Sequence, residues 1–171
     1  MKEVEEFYNE LLTKKYGWHD KKDKLHRKLS DGNFTKNYKM QSLKKAKERR
    51  HVICWEMCEL EREFFKKRKI KHKVIFMLSR EDNKYYCHTF VAFFMNKNWY
   101  HFEASWDNKK GIHKYKTLEE MLDYLKDNFS DFVKKDNYDR NKISFYEYRR
   151  PRFVKSCNMF YFHCMHSKKI Y

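Results

Sequence analysis

Breakers of regular structure are nearly missing: the 171 residues hold 3 Gly and 1 Pro. That scarcity excludes collagen-like chains and Pro/Gly-rich disorder. Long apolar runs are missing as well. None approaches the ~18 residues of a spanning helix, so no membrane span is expected. The opening MKEVEEFYNELLTKKYGW carries acids among its apolar positions, unlike a secretory leader, and a cytoplasmic location is the expectation. Cysteines number five, and in a reducing compartment they read as free thiols rather than disulfides.

Aromatics are abundant, with 13 Tyr, 15 Phe and 4 Trp. They argue for a packed core in spite of 37% charged residues, and the length suits one domain, residues 1–171. The formal charge of +16 raises a nucleic-acid partner, since Lys and Arg neutralise phosphates. The basic residues are mostly lysine and scattered in short clusters, and with many Asn, Tyr and Phe they match the bias of an AT-rich genome. A nucleic-acid partner is therefore not favoured.

Three parts follow along the chain: a helical N-terminal part (1–50), a core (51–129) and an aromatic, basic tail (130–171) that periodicity leaves unassigned. Val4, Phe7, Tyr8, Leu11 and Leu12 predict a helix over 2–15. SDGNF (30–34) reads as a turn, and 40–50 as a short basic helix or loop. Ile53, Met57, Leu60 and Phe64 predict a helix over 54–69, with Cys54 at its start. Glu56, Glu59, Glu61 and Glu63 precede Lys66, Lys67, Arg68 and Lys69, a gradient that complements the helix dipole. Strands are predicted at 73–79, 87–95 and 99–106, with a polar turn at 80–84. A helix over 117–129 is capped by Thr117, with Glu120 closing a capping box. The fold class is α+β, a nucleophile helix packed on an antiparallel sheet.

A helix N-terminus stabilises a thiolate and directs free N–H groups at a developing oxyanion. A nucleophilic thiol also needs a base, and the base an orienting acceptor. Cys54 on the helix end, His88 on the central strand and Glu103 on the return strand can form such a set. Other candidates read as structural: Cys58 as core, Cys87 facing away from His88 by alternation, His51 and His101 as surface or hydrogen-bonding groups, and His113 in a loop. Cys157, His163, Cys164 and His166 lack a standard zinc spacing, so packing of the tail is favoured and no metal is expected.

The order CWEMCELEREFF (54–65), HTF (88–90), FEASW (102–106) and GIH (111–113) resembles the transglutaminase-like superfamily, which shares its core with papain-like peptidases. YGW (16–18) and SCNMFYFHC (156–164) extend the likeness to small bacterial transglutaminase-like proteins. The resemblance implies a papain-like core with Cys54 as nucleophile, His88 as base and Glu103 as orienter. It further implies acyl transfer to water or to an amine, with a peptide or other amide as substrate partner, and a monomer without cofactor. Trp55 and Trp106 would wall the substrate site, against core packing as their plainer role. Two departures stand out: Ile53 where the family usually has Gly, and Glu103 where it usually has Asp. No calcium-binding loop is recognisable.

One geometric condition follows. A two-residue turn at Lys97–Asn98 would leave His88 and Glu103 four residues out of register, roughly 13 Å along the strands. A longer connection over 93–98, or a bulge, is therefore expected, and a tight regular hairpin would break the triad.

Overall fold

The computed structural model describes residues 1–81, 84–133, 138–151 and 156–171. The tip of the expected 80–84 turn and parts of the tail (134–137, 152–155) lie outside these residues. The N-terminal part contains α1 (Lys2–Leu12), β1 (Lys15–Tyr16), β2 (Trp18–His19), β3 (Leu25–His26), α2 (Phe34–Asn37) and α3 (Leu43–Glu48). The central part contains β4 (His51–Val52), α4 (Cys54–Lys67), β5 (Lys71–Glu81), β6 (Lys84–Met95), β7 (Asn98–Glu103), β8 (Gly111–Tyr115) and α5 (Leu118–Asp127). α6 (Phe129–Val133), β9 (Ile143–Glu147), α7 (Cys157–Met165) and β10 (Lys168–Lys169) complete it.

The fold is α+β. Six antiparallel strands run in the order β10-β9-β5-β6-β7-β8. Strand alternation divides the core in two. Val74, Phe76, Leu78, Val91 and Phe93 meet α1, α4 and α7 on one face. Ile75, Met77, Phe90 and Ala92 meet Met121, Leu122 and Leu125 of α5 on the other. Stacked rings join the first layer, Phe7 on Phe64 at 4.0 Å and Phe65 on Phe93 at 4.8 Å between centroids. Among the described residues no helix is long and apolar enough to cross a membrane.

Several expectations are corrected. The first helix stops at Leu12 because the chain leaves to pair β1 with β4 in parallel, and Lys15 N–H donates to the Arg50 carbonyl (2.7 Å). The return strand stops at Glu103, where the backbone N–H groups of Ser105 and Trp106 donate to that side chain instead of a neighbouring strand. Thr117 caps α5, but Glu120 reaches back to the N–H of Lys116, one residue short of a closed capping box. His113 lies on strand β8, donating to the Lys109 carbonyl (2.8 Å), not in a loop.

The hairpin between β6 and β7 is tight and regular, which contradicts the expected long connection. Met95 pairs with Asn98, so the two-residue turn is Asn96–Lys97, one position earlier than assumed. Both residues have positive φ (50° and 62°), as a type I′ turn demands. Lysine carries a Cβ penalty in this region. Lys97→Gly is expected to raise stability by up to about 1 kcal/mol in urea unfolding, since glycine relieves that penalty at the turn's second central position.

Candidate active site

The one-residue shift of the turn decides whether the site assembles. With Val91 opposite Phe102, one further step sets Glu103 opposite Phe90, so His88 lies only two residues off. Diagonal cross-strand neighbours are about 7–8 Å apart, within reach of long side chains. The extra methylene of glutamate helps to close that diagonal: His88 Nε2 and Glu103 Oε2 stand 2.6 Å apart, with both residues buried. The tight hairpin thus permits the pair that it was expected to prevent.

Glu103 is held at both oxygens. Its Oε1 accepts from the backbone N–H groups of Ser105 (2.7 Å) and Trp106 (2.8 Å) and from the Ser105 hydroxyl (2.9 Å). Burial pushes the carboxyl pKa up, yet His88 and His101 outweigh it and hold Glu103 well below the usual carboxylate range. For His88, burial lowers the pKa, but the Glu103 charge and hydrogen bonds to Cys54 and Glu103 raise it to about 10. The result is a buried imidazolium at neutral pH. With Nε2 committed to Glu103, Nδ1 is the nitrogen left for the thiol of Cys54. Trp106 covers the imidazole edge-on, with ring centroids 5.6 Å apart.

Cys54 is the first residue of α4, as expected, and is half-buried. The helix start is fixed from within: Glu56 Oε2 accepts the N–H of Ile53 (3.0 Å), while Oε1 accepts the Tyr38 hydroxyl and the Gln41 N–H. Burial raises Glu56 to about 7 against the lowering effect of these donors. Ile53 has φ −106° and ψ 172°, an ordinary extended conformation that needs no glycine. The N–H groups of Cys54 and Trp55, at the first two helical positions, have no intrahelical acceptor.

The acids of α4 are not the exposed complement to the dipole that their order suggests. Glu56, Glu59 and Glu61 are buried. Glu59 pairs with Arg62 (3.2 Å). For Glu61, burial first and then the charge of Glu103 push the pKa well up. His101, expected near the surface or in a hydrogen bond, is buried with Nε2 3.5 Å from Glu103 Oε2. Burial depresses its pKa more than Glu103 raises it.

A cleft of about 500 Å³ opens over Cys54 and His88, and Tyr16, Leu29, Phe34, Trp55 and Tyr161 line much of it. Trp55 serves both suggested roles, lining the cleft and stacking on Phe160 at 4.0 Å in the core. Trp106 packs on His88 and is not among the residues lining the cleft. Cys87, expected to face away, lines the same cleft, and its thiol donates to the Tyr161 hydroxyl (3.2 Å). Cys58 is buried core, and His51 is half-buried in β4. A groove of similar size between α1 and α4 is edged by ion pairs such as Lys47–Glu63 and Arg68–Glu3, and among the described residues no thiol or hydroxyl lines it.

In the tail, Cys157 and Cys164 are buried, and His163 and His166 donate to the carbonyls of Arg149 and Phe162. No group of three metal-binding side chains forms among the described residues. Sequence periodicity missed Tyr161, Phe34, Leu29 and Ser105 as site residues. Only FEASW, with a serine two residues after the acid, carried a signal for one of them. No protein-family model matches the chain, and no curated protein matches it.

Proposed function

We propose that this chain is a thiol acyl-transfer enzyme of the transglutaminase-like kind, with Cys54, His88 and Glu103 as its triad. The observation that carries the reading is that His88, paired with buried Glu103, lines the same cleft as the thiol of Cys54 at a helix N-terminus. In the reactive form the Cys54 proton has passed to His88, which faces the sulfur as the imidazolium. The sulfur attacks an amide or ester carbonyl, and the carbonyl π electrons move to oxygen. The N–H groups of Cys54 and Trp55 hold that oxyanion. Collapse expels the amine, which takes its proton from His88, and leaves a thioester. Water, deprotonated by His88, then releases the acid and restores the thiol. Hydrolysis (peptidase, amidase or deamidase) is preferred to cross-linking, because nothing in the sequence marks a dedicated channel for an acceptor amine.

Mass-spectrometric mapping of iodoacetamide labelling on the native chain, from about pH 5 to about pH 9, tests the reading. Cys54 is expected to label first and at mildly acidic pH, since the thiolate is the reactive species. Burial pushes the thiols of Cys58, Cys87, Cys157 and Cys164 up, so these should lag until the fold opens. Were Cys54 no faster than Cys87 at mildly acidic pH, the nucleophile assignment would be lost.

A further inference from the structure

The cleft over Cys54 does not end at Tyr161. On the far side of that ring a second cleft, about 400 Å³, is lined by Tyr85, Phe162 and Met165, with Thr35 and Asn158 as its polar edge. Charged residues make up 37% of the chain, yet among the described residues no Lys, Arg, Asp or Glu lines either cleft, Arg80 touching Met165 and Tyr85 only at the margin of the second. Instead, large apolar side chains stand in solvent there. Leu29 is 56% exposed at the first cleft, and Tyr85 and Phe162 are 54% and 62% exposed at the second. α7 is apolar nearly all round: Phe160 and Cys164 are buried, while Met159 and Phe162 face outward. A helix of that composition is ordinarily covered on every side. Apolar surface gathered beside a reactive group marks a binding site.

We infer that the enzyme acts on extended, apolar polypeptide segments. One large apolar side chain lies against Leu29, Phe34 and Trp55 beside Cys54, and a second lies beyond Tyr161 against Phe162 and Met165. An extended chain sends alternate side chains to one face, roughly 7 Å apart, which suits two apolar clefts divided by one aromatic ring. Apart from His88 the lining is uncharged among the described residues, which disfavours a Lys side chain in either cleft, because a buried charge without a partner is costly. It likewise gives a glutamine amide few partners. This inference rests on the proposed active site, but its binding step does not require a working nucleophile.

The test therefore uses the full chain with Cys54→Ala and fluorescein-labelled, capped peptides, read by anisotropy. A peptide bearing Phe and Leu is compared with the same peptide bearing Gln at those positions. The apolar peptide is expected to bind at least about tenfold more tightly, the scale at which apolar pockets discriminate. Binding should hold from low to high salt, unlike attraction to the basic surface. Phe162→Ser and Leu29→Ser alter exposed side chains, so the fold is retained, and each should weaken binding about tenfold. Equal binding of the Gln peptide, loss of binding in high salt, or indifference to both substitutions would overturn the inference. Binding by the Cys54→Ala chain, with an unreactive Cys54 in the native chain, would instead remove the enzymatic reading and leave a peptide-binding cleft.

Discussion

His88→Gln is expected to slow alkylation of Cys54 at about pH 6 by on the order of 10²-fold, because the thiolate and not the thiol is the nucleophile. Glutamine can still donate an amide N–H to Glu103, so the carboxylate that Ser105 and Trp106 also hold is not left bare. What it cannot supply is positive charge beside the sulfur. The buried imidazolium is the only cationic group lining the Cys54 cleft among the described residues. The loss should therefore shrink toward alkaline pH, where any accessible thiol ionises. Rates measured by intact mass across that range check the prediction. A uniform small loss at every pH would mean that His88 packs the site without charging it.

Glu103→Gln is expected to destabilise the chain by about 3–5 kcal/mol near pH 6, the range for removing one partner of a buried ion pair. The pH dependence follows from the directions of the two shifts. His88 is raised from 6.5 to about 10, so its contribution is complete below about pH 6.5 and is lost as pH rises toward 10. Glu103 is lowered from 4.5, so its contribution is complete above about pH 4.5 and is lost as pH falls through the folded value. The difference between native and variant should peak between about pH 4.5 and about pH 6.5 and narrow on both sides. Urea midpoints at about pH 6 and about pH 9.5 measure it, and equal differences at the two would contradict the pair as described. Glu103→Asp sharpens the case. It keeps the charge but shortens the diagonal reach to His88, so it should recover only part of the lost stability.

Those expectations depend on a two-residue offset that hydrophobic alternation alone does not specify. The aromatic and β-branched runs identify β6 and β7 from sequence, and their alternation puts His88 and Glu103 on one face. Where the hairpin folds back is a different matter. NKN offers two turns one residue apart, and the choice changes the His88–Glu103 offset from four residues to two. The structure selects Asn96–Lys97, both at positive φ. That selection reflects the packing of both strands within a six-stranded sheet, together with the turn's own preference.

From sequence alone came the α+β class, the direction of α4, the place of Cys54 at its start and the three residues of the candidate triad. These rest on local physics: apolar periodicity, charge order along a helix, and residue types that suit strands. Tertiary structure decided the rest. Glu56 is drawn inward as an internal cap by Tyr38 and Gln41, residues fifteen or more positions away. Glu61 sits in a buried position that, with the charge of Glu103, pushes its pKa well up. The tail, unreadable by periodicity because α7 is apolar nearly all round, supplies Tyr161 and Phe162 to the clefts. Contacts between distant segments set burial and hence charge state, and no local pattern in the chain encodes them.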